Sequence, residues 1–121
     1  YDHLAGRLGV ACAEALTARG FIILEPEGAQ LTPCGTDFLD ELGLKIHSLP
    51  RSRRIFCRPC LDWSERRYHL AARLGALFLG FCLDRQWLER RSDSRALRIT
   101  RLGAQQFAER FQIEHPPSAI V

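Results

Sequence analysis

His3-Leu4-Ala5-Gly6-Arg7-Leu8-Gly9 returns as His69-Leu70-Ala71-Ala72-Arg73-Leu74-Gly75, an offset of 66. The agreement continues downstream. Arg19 answers to Arg85, Phe21 to Trp87 and Ile22 to Leu88. Thr32 and Gly35 then answer to Thr100 and Gly103, at an offset of 68. An insertion of two residues is tolerated most readily in a turn between strands. The repetition predicts one structural unit used twice, so each half is read against the other.

A length of 121 residues suits one domain or two small, closely packed ones. With 46% hydrophobic and 26% charged residues, the chain has an ordinary globular composition. No apolar run reaches the roughly 18 residues a membrane helix needs, and the first residues lack a signal-peptide pattern. No Met occurs at any position. This predicts a piece of a longer protein whose N-terminal domain carries the main activity. The five cysteines, Cys12, Cys34, Cys57, Cys60 and Cys82, are an odd number without a secreted disulfide pattern. They predict a reducing, cytoplasmic setting.

The net charge of +3 hides an asymmetry. Residues 1–48 carry three basic side chains against seven acids. Residues 49–121 carry 14 Arg and no Lys against seven acids. Such opposed halves favour self-association or the offer of one face to a polyanion.

Residues 3–19 predict a helix. Leu4, Leu8, Ala11, Cys12, Ala15 and Leu16 fall on one stripe, and Gly20 ends it. Phe21–Leu24 and Gln30–Leu31 flank the turn signal Pro26-Glu27-Gly28, which predicts a hairpin. Thr32 then caps a helix with Pro33 at its first position. The second half predicts the same order. A helix capped by Ser64 spans 65–85, a hairpin spans 87–99, and Thr100 caps the last helix. The expected divisions are a first unit over 1–48, a basic connecting segment over 49–63, a second unit over 64–111 and a frayed tail over 112–121. Within the connection, Ile55-Phe56-Cys57 reads as a short strand.

Leu31-Thr32-Pro33-Cys34-Gly35 and Ile99-Thr100-Arg101-Leu102-Gly103 resemble the exit from the wing into the last helix of winged-helix regulators. Residues 1–9, together with Arg58-Pro59-Cys60-Leu61-Asp62-Trp63-Ser64-Glu65-Arg66-Arg67-Tyr68-His69-Leu70-Ala71, resemble the C-terminal region of a subset of bacterial ArsR-type transcriptional regulators. The resemblance covers residues 1–111. It implies an α+β fold of two winged-helix-like units, each a long helix, a β-hairpin and a helix. It also implies that DNA is bound through the full-length protein by an N-terminal domain outside this chain.

The spacing departs from a helix-turn-helix. Eleven residues separate Gly9 from Phe21, and eleven separate Gly75 from Trp87. That is too short for a turn plus a separate recognition helix of about three turns. Each unit is therefore expected to hold one unbroken helix before its hairpin.

Four constellations bear on chemistry. Arg90, Arg91, Arg95, Arg98 and Arg101 crowd the second hairpin and are candidates for phosphate contact; a solvated Arg-rich face is the plainer alternative. Cys57, Cys60, Asp62 and His69 offer two thiolates, a carboxylate and an imidazole, a donor set that suits zinc or a softer ion. Packing of two small residues under the Trp63 loop is the plainer alternative. Cys57-Arg58-Pro59-Cys60 also has redox spacing, but no βαβ setting accompanies it. Asp2 with His3, and Asp62 with His69, form a candidate paired effector site at the starts of the two long helices; capping is the alternative. Nucleophile elbow, paired carboxylates and phosphate loop are all missing, so an enzyme is not expected.

The expectation is thus the regulatory portion of a bacterial transcription factor, which dimerises or receives an effector of unknown identity. No resident cofactor is expected apart from a possible metal ion, and no membrane partner. The alternatives are a direct DNA-binding module using the Arg-rich wing, or a metal or thiol sensor through Cys57 and Cys60.

Overall fold

The helical stripe read from the first residues is realised as α1, Gly6–Ala18, which buries Leu8, Val10, Cys12, Ala13 and Leu16. The computed structural model describes residues 6–25, 28–46, 58–62, 67–91, 96–113 and 119–120. Gly20, at φ +74°, closes α1. Its N–H donates to Thr17 O at 3.0 Å, and Phe21 N–H donates to Leu16 O at 2.9 Å. The chain thereby reverses straight into β1, Ile22–Glu25, which pairs antiparallel with β2, Gly28–Leu31. α2, Pro33–Leu42, follows and stops at Gly43, whose φ of +119° no other residue type adopts readily.

β3, Arg58–Asp62, and β4, Arg67–Ala71, form another antiparallel hairpin. β4 packs along α1 and leads directly into α3, Ala72–Asp84. β5, Leu88–Arg90, then pairs with β6, Leu97–Ile99, and α4, Arg101–Phe111, follows. β7, Ala119–Ile120, adds a third strand antiparallel to β6, with Leu97 opposite Ile120. The fold is α+β, with four helices and small antiparallel sheets among the described residues, and its hairpins and capped helices are compatible with a winged-helix-like architecture.

Two expectations are corrected. The helix expected over 65–85 begins only at Ala72, because residues 67–71 pair with β3 instead. The β-prone run Tyr68-His69-Leu70 took the ladder once Pro59-Cys60-Leu61 supplied a partner strand. The frayed tail is likewise too simple: Ala119 and Ile120 find a partner edge in β6. The proposed strand 55–57 and the Ser64 cap lie outside the described residues.

The helices α2 and α4 start in the same way. Thr32 N–H donates to Phe21 O at 2.9 Å, and Thr100 N–H to Trp87 O at 3.0 Å. The Thr32 hydroxyl accepts from Gly35 N–H at 3.0 Å and donates back toward Phe21 O at 3.1 Å. The Thr100 hydroxyl accepts from Gly103 N–H at 2.9 Å and donates toward Trp87 O at 3.2 Å. One threonine therefore ties a helix start to the end of the preceding helix. Thr100→Ala is expected to lower stability by about 1–2 kcal/mol, as loss of a helix cap does, whereas Thr100→Ser should retain most of it; urea denaturation of the two variants checks this.

The core is continuous. Leu8, Leu16, Ile22 and Leu39 from the first half join Leu74, Cys82, Leu88, Phe107 and Phe111 from the second. An aromatic chain crosses between them. Phe21 stacks on Phe38 at 4.6 Å, Phe38 meets Phe111 edge-on at 5.5 Å, and Phe111 meets Phe78 at 5.4 Å. Between α1 and α3 lies an apolar cavity of about 20 Å³, lined by Gly9, Gly75, Cys12, Leu16 and Phe78 among others.

Candidate functional site

α1 and α3 are each unbroken, and Gly9 and Gly75 interrupt neither. Along α1 only Arg7, Glu14 and Ala18 are exposed. Along residues 73–84 of α3 only Asp84 is exposed. A helix that enters the major groove presents an open polar face to base edges. α3 spends its described surface on the core, and α1 leaves only the narrow stripe of Arg7, Glu14 and Ala18.

The Arg-rich hairpin lies at the surface. Arg90, Arg91, Arg98 and Arg101 are exposed, while Arg95 lies outside the described residues. Glu89 stands opposite Arg98 in the β5–β6 register, and their side chains form an ion pair. That pair holds one of the candidate phosphate contacts against a carboxylate. An exposed pair of this kind contributes at most about 1 kcal/mol, so phosphate could displace it.

The paired Asp/His arrangement is corrected in one respect. His69 belongs to β4 and not to a helix start, because the ladder with β3 extends through it. Asp2 and His3 lie outside the described residues. For the metal set, Cys57 also lies outside them. The β3–β4 register sets Cys60 opposite His69 and Asp62 opposite Arg67.

The remaining cysteines divide by burial. Cys12 and Cys82 are enclosed in the core, and Cys34 is exposed on α2. Burial pushes both core thiols up, and Cys82 is raised further by the neighbouring Cys12. A thiol in the unfolded chain ionises near 9.0. Keeping both core thiols neutral thus contributes stability that is complete below that pH and lost as pH rises above it. The midpoint of urea unfolding should fall as pH climbs above about 9. At mildly alkaline pH, iodoacetamide should modify Cys34 and spare Cys12 and Cys82, as read by peptide mass mapping.

One concave site was missed in the sequence. A groove of about 240 Å³ is lined by Leu42, Arg85, Trp87, Leu102, Gln106 and Arg110. Leu102, Gln106 and Arg110 form one i, i+4, i+8 stripe of α4. Leu42 ends α2, and Arg85 and Trp87 follow α3. Arg85 sits 4.9 Å over the Phe81 ring. The only signal in the sequence was the match of Arg85 to Arg19; nothing local announced that these elements converge there.

Among the described residues, no helix is long and apolar enough to cross a membrane. No family model matches the chain, and no solved structure matches it. The chain is 37% identical over 114 residues to the uncharacterized HTH-type transcriptional regulator YdfF of Bacillus subtilis (strain 168). The match takes in 94% of this chain and 50% of that protein. The chain therefore spans about half the length of the curated relative it matches.

Proposed function

We propose that this chain is the regulatory half of a bacterial, ArsR-type transcriptional regulator. It receives an effector or a second copy of itself and so biases a DNA-reading domain that lies outside these residues. The observation that carries this reading is the burial of α1 and α3. Along residues 73–84, α3 exposes only Asp84, and α1 exposes only a narrow stripe of Arg7, Glu14 and Ala18, a poor match for a groove lined by phosphates. Half of the relative's length lies beyond the match, which leaves room there for a separate DNA reader. The test deletes this segment from the full-length protein. Operator binding or the response to effector should change; a protein that binds and responds identically without the segment contradicts the reading.

A second reading has a specific observation behind it. Arg90, Arg98 and Arg101 are exposed around one hairpin, and basic side chains there would track phosphates without reading sequence. In that case affinity for any duplex falls steeply with salt. Full-length protein whose operator affinity is untouched by removal of these arginines rules it out.

A further inference from the structure

The ends of the two halves are built from matching residues with one substitution between them. In the first half, Arg19 lies 4.8 Å over Phe21 and 4.9 Å over Phe38, whose rings stack at an interplanar angle of 19°. The Arg19 guanidinium also donates to Arg110 O, in the last turn of α4, at 2.8 Å. Cation, ring and ring thus fill the space between the α2 stripe and the end of α4.

In the second half, Arg85 stands where Arg19 stands, and Trp87 where Phe21 stands. Position 106, three residues after the Gly of the helix cap, corresponds to Phe38 but carries Gln. No ring from α4 therefore fills this space, and the groove is bounded by Gln106. Arg85 reaches the end of α2 instead: a Cβ placed on Gly43 would meet its guanidinium nitrogen at 2.5 Å. The first half displays the kind of occupant the second half lacks, an aromatic ring held beside a guanidinium.

The geometry points to this groove as a binding site for a small aromatic carboxylate. Leu42, Leu102 and the edge of Trp87 supply apolar walls for a ring. Arg85 and Arg110 line the groove with two positive charges, and among the described residues no acidic side chain does. A guanidinium matches a carboxylate in shape and charge, and charge-assisted bonds of this kind are the strong ones. A volume of about 240 Å³ lies under the roughly 300–1,000 Å³ of sites for drug-sized ligands, which limits the occupant to about one ring. Trp87 is only 5% exposed and contacts Phe81, Phe107 and Phe111 edge-on. Occupancy is thereby transmitted directly to the core. This inference rests on the effector-receiving reading for its biological sense, but the binding it describes is measured without DNA.

The experiment titrates the full chain with benzoate and with salicylate, using neutral benzamide as the comparison. Calorimetry measures affinity, and Trp87 fluorescence in a Trp63→Phe background reports the site. Benzoate or salicylate should bind at least about tenfold tighter than benzamide, the margin expected of a charged hydrogen bond. Arg110→Gln should weaken carboxylate binding by about the same factor while leaving the melting temperature unchanged. Gln106→Phe supplies the missing ring from within and should abolish binding with stability retained or raised. Equal binding of benzamide, binding undisturbed by Gln106→Phe, or no binding of either carboxylate overturns the inference. Carboxylate binding that leaves transcription of a target promoter unaltered would instead count against the regulatory reading and leave the site intact.

Discussion

Gly103→Ala is expected to destabilise the protein by about 3 kcal/mol or more, at or beyond the upper end of ordinary overpacking. The added Cβ would collide with Trp87 O, and it would lie 2.7 Å from Trp87 C and 2.9 Å from Trp87 Cα. All three are backbone atoms, so no rotamer change relieves the clash. The carbonyl is also pinned, because it accepts from Thr100 N–H at 3.0 Å. Relief would tear α4 away from the end of α3. Gly35→Ala meets the same obstacle at Phe21 O and C, with Leu31 Cδ1 at 2.8 Å besides. Two comparisons isolate the cause. Gly20→Ala has open space but a φ of +74°, so only the left-handed penalty of about 1–2 kcal/mol applies. Gly28→Ala has open space and no positive φ, and should be nearly neutral. Urea denaturation of the four variants should rank Gly103 and Gly35 well ahead of Gly20, and Gly20 ahead of Gly28.

Phe111→Ala should remove about 3–5 kcal/mol, the range for deletion of a fully buried aromatic side chain. Phe111 is 1% exposed. Its ring touches Phe38 from the first half at 5.5 Å, and Phe78, Phe107 and Trp87 from the second at 5.4, 5.9 and 6.5 Å. Truncation opens a cavity at the place where the two halves meet. Set against total stabilities of about 5–15 kcal/mol for domains of this kind, that reduction leaves little folded protein at elevated temperature. Because the core is continuous across the halves, the parent chain should unfold in one urea transition reported alike by fluorescence and circular dichroism. Two separated transitions would show that the halves fold independently.

Much of this architecture was legible because it was carried by local chemistry. Thr32 and Thr100 announced helix starts, Gly20 announced a stop, and the eleven-residue spacings left no room for a second helix. The reason for Gly35 and Gly103 was not legible: the glycine admits a carbonyl from a residue fourteen to sixteen positions earlier, which only the folded chain brings near. The β3–β4 hairpin was missed because residues 67–71 also fit the apolar stripe of the helix that follows them. Pairing with residues 58–62 decided between the two, and single-sequence periodicity does not register pairing. The Arg-rich hairpin was visible as charge, whereas the ion pair of Glu89 with Arg98 depends on strand register. The groove beside Trp87 was the least legible feature, since its walls come from α2, α4 and the end of α3 at once.

The central claim, that these residues regulate and do not themselves hold DNA, is tested most directly by the salt dependence of operator binding. Full-length protein should be compared with its Arg90→Ala/Arg98→Ala/Arg101→Ala variant across a series of salt concentrations. The same affinity and the same slope of log affinity against log salt are predicted. A slope shallower by about three, roughly one unit for each phosphate that an arginine no longer neutralises, would contradict the claim and make the Arg-rich hairpin part of the DNA-binding surface.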